Sequence, residues 1–274
     1  MKPRAIVFDL FGDYVRYAGG EAPLQVLVDL LGDFGVPAST SRVVMARLRR
    51  EGWLDTRRDG RTTAYALNDR SWQLLDAGRR RIFEPARGPW DGLWRLVIYS
   101  VPETNRGARD RIRKRLAWLG FGPLASSSFV SPHARLDEAA HQLASETSVR
   151  LDLLEARSRG RDVDLDMVGR CWDLTILQAD FVAEREALQA RLARYRSVPP
   201  IGRDALVERI RLVAGYRRLP FRDPDLPAEL LPRGWAGRDV HELFLEAYGL
   251  LGPEAQRYFR EVTGRRQTLV VSNS

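Results

Sequence analysis

Cysteine, histidine and lysine are scarce in this sequence, and the first two shortages exclude whole classes of site. Cys171 is the only cysteine and there are three histidines among 274 residues, which excludes an intrachain disulfide and any zinc or iron–sulfur site built from several cysteines. No apolar run approaches the ~18 residues that a membrane helix needs. Asp9 and Asp13 interrupt the apolar N-terminal stretch, so no secretion signal is expected. We therefore expect a cytoplasmic protein with no metal site, no cofactor and no membrane contact.

Arginine supplies almost all of the positive charge. Lys2 and Lys114 are the only lysines, so 42 of the 44 basic residues (44 − 2) are arginines, and the formal net charge is +8. A net positive charge favours polyanionic partners such as nucleic acid. Because abundant arginine can also reflect the base composition of a genome, the positions of these residues are more informative than their number.

The hydrophobic pattern of residues 1–70 predicts a winged helix-turn-helix. The predicted elements are helices over 4–17, 24–34 and 39–51 and strands over 53–58 and 62–67. The hydroxyl cluster that starts at Ser39 is the expected N-cap of the third helix, and Gly52 ends it. Asp59 and Gly60 form a strong hairpin turn signal between the two strands. The order of helix, helix, turn, helix and hairpin is that of a winged helix.

The third predicted helix has an apolar face and a basic face. At about 100° per residue, Met45 and Leu48 fall on the side that can pack against the two preceding helices. Between residues 42 and 61 there are seven arginines and three acids, a local excess of 7 − 3 = +4. In a winged helix the third helix enters the major groove of DNA and the wing lies on the backbone. The pattern therefore predicts DNA binding; the alternative is a winged helix that contacts another protein.

Different candidate residues suit different parts of the duplex. Hydroxyl residues at a helix N-terminus suit phosphate contacts, because unpaired amide groups and the helix dipole favour an anion there. Arg42 and Arg47 are candidates for base edges, since a guanidinium can pair bidentately with guanine, and the wing arginines are expected to meet phosphates. The predicted DNA-binding residues are Ser39, Thr40, Ser41, Arg42, Val43, Ala46, Arg47, Arg49, Arg50, Arg57, Arg58 and Arg61.

The rest of the chain predicts three further parts, which together with the winged helix make a multidomain α+β protein. These are a connecting helix and linker (71–89), a central ferredoxin-like domain (90–173) and a helical C-terminal domain (174–274). The central elements are strands over 93–101, 128–131 and 149–154 and helices over 106–119 and 136–145. This β-α-β-α-β order is typical of a small ferredoxin-like fold. The C-terminal part has proline breaks and an amphipathic helix over 238–251.

Residues 5–12, AIVFDLFG, resemble the nucleophile motif of the haloacid dehalogenase superfamily. There an aspartate at the end of a strand attacks the substrate, and Asp9 would be that residue. However, Asp13 stands where the motif has threonine, and the chain continues as a helix-turn-helix. Such an enzyme needs acids that hold a metal, and Asp162, Asp164 and Asp166 are the nearby carboxylates, yet alternating acids in a loop are usually solvated. We therefore expect no enzyme, and we expect Asp9 to lie on the surface of a helix.

Short motifs along the chain resemble the PaaX family of phenylacetic acid catabolism transcriptional repressors. They are LFGDYV (10–15), RLRREGWL (47–54), RRIF (80–83), WDGLW (90–94), LAWLGFGPL (116–124), WDL (172–174) and FRDPDLPAELLP (221–232). Together they span essentially the whole chain in order, which is far more specific than any one motif. Residues 42–46 depart from the forms associated with phenylacetate repressors, which leaves the operator sequence and the controlled pathway open.

The resemblance implies a repressor of an aromatic-acid catabolic operon that an aryl-acetyl-CoA, typically phenylacetyl-CoA or a related acyl-CoA, releases from double-stranded operator DNA. The alternative is a DNA-binding regulator of another pathway with no CoA effector. We also expect a homodimer, because two winged helices that read half-sites one helical turn apart gain affinity together. The central domain is similar to a small CRISPR-associated nuclease, but Ser100 stands where that nuclease has an aspartate, so no nuclease activity is expected.

A basic helix is the candidate effector site. Residues 109–115 carry five basic side chains and one acid, 5 − 1 = +4, which suits the phosphates of coenzyme A. The candidate effector-binding residues are Arg109, Arg111, Arg113, Lys114, Arg115 and Trp118. The same helix could instead touch DNA or present a solvated face. Four tryptophans, Trp90, Trp94, Trp118 and Trp172, could line an aromatic pocket or belong to the core. Cys171 is expected to be a small buried hydrophobic residue.

Overall fold

The computed structural model describes residues 1–59, 62–84, 88–102, 105–146 and 149–271, so most of the expected linker at 85–89 lies outside them. Helices and two antiparallel sheets confirm the α+β class. The chain divides into two compact units. The winged-helix unit contains residues 1–84, 184–218 and 239–274, and the central unit contains residues 85–183 and 219–238. The C-terminal part of the chain therefore contributes to both units.

The helices and strands of the described residues have the following bounds. The helices are α1 (Pro3–Asp13), α2 (Leu24–Gly32), α3 (Ala38–Arg50), α4 (Asp69–Phe83), α5 (Arg106–Trp118), α6 (Leu136–Leu143), α7 (Arg161–Cys171), α8 (Leu174–Ser197), α9 (Gly202–Tyr216) and α10 (Gly237–Val271). The strands are β1 (Glu21–Pro23), β2 (Leu54–Asp59), β3 (Thr62–Leu67), β4 (Trp94–Ser100), β5 (Gly122–Ala125), β6 (Ser128–Ser131) and β7 (Arg150–Ala156). In the part of the chain that the structure describes, no helix is long and apolar enough to cross a membrane.

The winged helix consists of α1, α2 and α3 with a sheet of order β1-β3-β2. Strands β2 and β3 pair antiparallel from Leu54 opposite Leu67 to Asp59 opposite Thr62. Strand β1 was not predicted, because three residues that end in proline give no alternating pattern; proline is tolerated on such an edge strand. The first helix is shorter than predicted: α1 ends at Asp13, and a 3₁₀ turn over Val15–Tyr17 follows.

Helices from the C-terminal part complete the core of the winged-helix unit. Leu206 and Ile210 of α9 and Phe259 of α10 are buried in one hydrophobic cluster with Phe11 of α1 and Met45 of α3. Burial of large apolar side chains contributes roughly 1.5–3 kcal/mol each. Helices α9 and α10 therefore cover a side of α1 that the sequence pattern predicted to face solvent.

This enclosure overturns the expectation that Asp9 lies on a helix surface. The side chain of Asp9 is 5% exposed and forms an ion pair with Arg217, which follows α9. One turn later, Asp13 accepts a hydrogen bond from the Tyr248 hydroxyl of α10, and its Oδ2 lies 3.5 Å from Nε of Arg209. The guanidinium of Arg209 lies 3.8 Å from the centre of the Tyr248 ring. Because charges removed from water need partners, these arginines are what allow two carboxylates on the inner side of α1.

The central unit has the predicted ferredoxin-like fold, with β4-α5-β5-β6-α6-β7 in the chain and the sheet order β5-β6-β4-β7. Successive side chains of a strand point to opposite faces. Val97 and Tyr99 of β4 pack with Ile112 and Leu116 of α5 on one face. Trp94 packs on the other face, beside residues of α7. Strand β5 was not predicted, since its Gly-Pro start carries no strand signal.

The acids at 162–166 lie in helix α7, which corrects their assignment to a loop. Asp164 is buried and accepts a hydrogen bond of 2.7 Å from the indole Nε1 of Trp94. Trp90 and Trp172 contact Trp94, with ring centres 5.2 and 6.5 Å away, so the three rings belong to a packed cluster. Cys171 is buried in the same cluster, as expected, and burial raises the pKa of its thiol to about 11.

Candidate nucleic-acid interface

Helix α3 is held between two backbone turns and a buried inner side. It begins at Ala38, directly after Pro37, and no side chain caps it, so the expected N-cap in the hydroxyl cluster at 39–41 is wrong. At its other end, Gly52 adopts a φ of +71° and Trp53 donates its amide proton to the carbonyl of Leu48 at 2.9 Å. Glycine adopts this conformation without steric cost. The turn directs the chain from α3 into β2 and the wing.

The outer side of α3 is exposed along its whole length. At about 100° per residue, the middle of this side is formed by Ser39, Val43, Ala46 and Arg50, and Val43 is 66% exposed. Up to Arg50 this line consists of small or apolar side chains, which allow close approach to base pairs, and an exposed valine suits the methyl group of thymine. The remaining exposed candidates on this helix are Thr40, Arg42, Arg47 and Arg49.

Ser41 does not belong to this surface. Its side chain is fully buried and its hydroxyl donates a hydrogen bond of 3.2 Å to the carbonyl of Pro37. Its position at 100° per residue places it on the same side as Met45 and Leu48. A phosphate contact from this side chain is therefore excluded, which corrects the sequence-based assignment.

The arginines of the candidate interface fall into two groups. Arg42 donates a long hydrogen bond of 3.4 Å to Gln25, Arg47 donates one of 2.6 Å to Glu51, and Arg57 of the wing donates one of 2.8 Å to Glu21. Arg49, Arg50 and Arg58 have no hydrogen bond or ion pair among the residues that the structure describes. Arg61 lies outside the described residues. The second group offers unneutralised charge on an exposed surface.

Two residues of this region were missed by the sequence analysis. Arg4 of α1 forms an ion pair with Glu51, whose pKa is lowered by hydrogen bonds from Arg47 and from Arg4. The spacing of Arg47 and Glu51, four residues apart on one helix, was a signal that could have suggested their pair. Nothing local indicates Arg4, because 47 residues separate it from Glu51.

The candidate effector residues on α5 do not form one cluster. At about 100° per residue, Arg111, Arg115 and Trp118 lie on one flank of the helix and Arg109 and Arg113 on the other. Arg111 donates two hydrogen bonds of 2.9 and 2.8 Å to Glu146, so its charge is already balanced.

Partners within the central unit also occupy the rest of that flank. Arg115 lies 3.2 Å from Glu146, and Trp118 packs against Phe221 with ring centres 5.4 Å apart. Arg113 and Lys114 are exposed and have no such partner among the described residues. Arg109 is exposed and donates one hydrogen bond of 3.3 Å to a backbone carbonyl. The opposite flank and Lys114 therefore carry the accessible charge of α5.

Asp9 has neither the position nor the surroundings of a dehalogenase nucleophile. It lies inside α1 and not at the end of a strand, and both sheets of the described residues are antiparallel. Its carboxylate is paired with Arg217. Across the described ranges, no group of three histidine, cysteine or acidic side chains is arranged to hold a metal ion.

Comparison with known proteins gives three consecutive matches to family models. A model described as PaaX-like protein matches residues 2–71, the PaaX protein central Cas2-like domain matches 87–168, and the PaaX-like protein C-terminal domain matches 172–261. The chain is also 29% identical to the transcriptional repressor PaaX of Escherichia coli strain K12 over 276 aligned residues, which cover 94% of this chain and 83% of the repressor.

A solved structure shows the same fold. It is an uncharacterized protein from Mycobacterium tuberculosis, which aligns with a TM-score of 0.56 and 23% identity over 92% of this chain and 96% of the other. Together with the three family models, which cover most of the chain in order, these matches agree with the resemblance in the sequence motifs. The chain belongs to the PaaX family.

Proposed function

We propose that this chain is a transcriptional repressor that binds operator DNA through α3 and the wing formed by β2 and β3. The observation that carries the proposal is the outer side of α3, where Arg49 and Arg50 are exposed without a partner among the described residues, with Arg58 equally unpaired on the wing. Phosphates of a duplex would neutralise such charges and release counterions. The similarity to the Escherichia coli transcriptional repressor PaaX supports the same role.

The finer features of the proposal rest on the family resemblance and on symmetry. We propose that the chain works in the cytoplasm as a homodimer on a near-palindromic operator, with residues 1–70 as the DNA-binding part. Its target is an aromatic-acid catabolic operon of the phenylacetate type. The central domain is the proposed receiver of an aryl-acetyl-CoA such as phenylacetyl-CoA, and Arg109, Arg113 and Lys114 are the side chains of α5 that remain accessible to its phosphates.

The combined replacement of Arg49, Arg50 and Arg58 by alanine is expected to reduce the salt dependence of duplex binding. The slope of log K against log salt concentration is negative, and each lost phosphate contact reduces its magnitude by about 0.9, so three lost contacts reduce it by about 3. The measurement is a series of duplex titrations between 50 and 200 mM salt. A slope equal to that of the unmodified chain would place the DNA-binding surface elsewhere.

A matched control removes the same charge from the central unit. Arg159, Arg161 and Arg233 are exposed and, within the described ranges, have no hydrogen bond or ion pair. Replacing these three residues by alanine also removes three positive charges, yet it is expected to leave the slope unchanged. An equal decrease in both triple variants would mean that net charge, and not the face of α3, determines binding.

Phenylacetyl-CoA is expected to release the protein from the duplex upstream of its own gene neighbourhood. The titration is made at fixed salt, with the unmodified chain and with a variant in which Arg109, Arg113 and Lys114 are alanine. The variant should bind the duplex normally and require more thioester for release, because it lacks the accessible positive charge of α5.

The outcomes of this titration separate the parts of the proposal. Binding that the thioester does not affect would favour a regulator with another ligand or none. Equal release of both proteins would move the effector site away from α5. Absence of duplex binding at low salt would contradict the repressor function itself.

A further inference from the structure

At the C-terminal end of α3, the carboxylate of Glu51 contacts two arginines, one from α3 and one from α1. Arg47 donates a hydrogen bond of 2.6 Å from Nε to Oε1, and Nη1 of Arg4 contacts Oε2. Both oxygens of the carboxylate are therefore occupied by guanidinium groups. The hydrogen bond from Arg47 is the main reason that the pKa of Glu51 lies below its ordinary value, and the one from Arg4 adds to it. The carboxylate is therefore ionised at neutral pH.

Arg4 anchors Glu51 to an aromatic platform. Its guanidinium carbon lies 5.2 Å from the centre of the Trp53 ring and 5.6 Å from that of Phe8. The two rings meet edge to face at 5.7 Å, and Arg70 stacks on Trp53 at 4.1 Å. Cation–π and aromatic contacts restrict the side chains that make them. Glu51 is thus held from the side of α1 and is itself positioned to hold Arg47.

The bond through Nε leaves both terminal amino groups of Arg47 available. Neither Nη1 nor Nη2 has a partner among the described residues. Two parallel amino groups on a guanidinium of fixed orientation match O6 and N7 of guanine in the major groove. Arg49 and Arg50 lack a carboxylate of this kind, so they keep the rotamer freedom that phosphate contacts tolerate. A side chain whose conformation is already fixed before binding loses less entropy when it forms a directional contact.

We propose that Glu51 is a positioning residue that orients Arg47 for a base-specific contact with guanine. The inference rests on the proposed DNA-binding function and adds which arginine reads a base and what holds it. Glu51 itself does not touch DNA. Its carboxylate lowers the net positive charge of the interface by one, which weakens the attraction to DNA in general. By orienting Arg47, the same carboxylate improves discrimination between base sequences.

The test uses duplexes selected from a random-sequence library by four full-length proteins: the unmodified chain, Glu51→Gln, Arg47→Ala and the control Asp55→Asn. Asp55 is an exposed acid on β2, so Asp55→Asn removes the same charge from the same winged helix without touching Arg47. We expect Glu51→Gln and Arg47→Ala to lose preference for the same guanine. On the duplex preferred by the unmodified chain, Glu51→Gln should bind about tenfold more weakly than Asp55→Asn.

Binding to a non-specific duplex measures the effect of the charge alone. On a duplex that lacks the preferred sequence, Glu51→Gln and Asp55→Asn should bind equally well, since each removes one negative charge. Arg4→Ala, which leaves the Arg47–Glu51 bond but removes its anchor, should give a smaller loss of the same preference. Thermal unfolding of each variant verifies that it is folded; Arg4→Ala provides a second measurement if Glu51→Gln is not.

The inference and the proposed function fail in different ways. If Glu51→Gln retains the guanine preference, or if Arg47→Ala retains it, the positioning role is overturned while DNA binding stands. If the unmodified chain binds no duplex and selects no sequence, the repressor function is overturned. Equal affinity of Glu51→Gln and Asp55→Asn for the preferred duplex would show that Glu51 acts only through its charge, which also overturns the inference.

Discussion

Replacing Arg209 with alanine is expected to lower the free energy of unfolding of the winged-helix unit by about 3–5 kcal/mol, the usual cost of removing one partner of a buried ion pair. The side chains of Arg209 and Asp13 are 6% and 12% exposed. Without Arg209, the Asp13 carboxylate would keep the Tyr248 hydroxyl and lose its nearest cation. The ring of Tyr248 would also lose its stacked guanidinium. Urea denaturation, with hydrogen exchange of the α1 amide groups as the local probe, measures the effect.

A second arginine of α9 provides the matched control. Arg203 forms an ion pair with Asp33 at 3.2 Å, but its side chain is 57% exposed. An exposed pair of this kind contributes about 0–1 kcal/mol, so Arg203→Ala should have a small effect. Adding Asp13→Asn to Arg209→Ala should recover part of the loss, because the uncompensated charge is removed. Similar losses from Arg203→Ala and Arg209→Ala would refute the buried ion-pair account.

Between pH 4 and pH 7, the free energy of unfolding is expected to decrease as the pH rises, through the titration of Asp9. Burial raises the pKa of this carboxyl from 3.8 to about 7, although the adjacent Arg217 opposes the shift. The folded protein therefore holds a proton on Asp9 that the unfolded chain has already released in this range, and the charged pair with Arg217 forms as that proton is lost. Stability from this group is fully present below the unfolded pKa and is lost as the pH rises through the folded one. At 1.36 kcal/mol per pKa unit, the contribution is up to roughly 4 kcal/mol.

The variant Asp9→Asn should make this decrease smaller, since asparagine cannot titrate. Burial also raises the pKa of Asp13, so part of the decrease should remain. Glu254→Gln is the control: hydrogen bonds from Arg257 lower the pKa of Glu254, a shift in the opposite direction, so this residue does not contribute a decrease in stability as the pH rises. Urea denaturation at pH 5 and pH 7 gives the two values for each protein. A pH dependence that is the same in Asp9→Asn and the unmodified chain would contradict the titration of Asp9.

The elements that carry strong local patterns were predicted well. The spacing of Met45 and Leu48, together with Gly52, indicated α3 and its end, and the turn signal at Asp59 indicated the wing hairpin. These features depend on neighbours within about one helical turn or one hairpin, which the sequence displays directly. Strands β1 and β5 were missed because they are short and contain proline, and each is defined by its pairing with another strand.

The sequence predicted most of the residues of the candidate interface but not the contacts that their side chains make. The sequence placed arginines on the outer side of α3, and the structure shows them exposed. Helical spacing placed Ser41 on the side of Met45 and Leu48, but its hydroxyl was still assigned to phosphate; only the structure shows that this hydroxyl bonds the carbonyl of Pro37. It also could not show that Arg57 meets Glu21, since that contact depends on how the sheet brings β1 beside the hairpin.

The sequence by itself determined the class of this protein: an α+β chain with a winged helix, a ferredoxin-like domain and the motifs of one family. Periodicity, turn residues and motif order are local, so a single chain records them. Only the tertiary structure decided that α9 and α10 enclose α1 and bury Asp9 and Asp13. Arg217 lies 208 residues from Asp9, and no local pattern encodes a contact at that distance. The same holds for Arg4 and Glu51, whose pairing depends on the packing of α1 beside the end of α3.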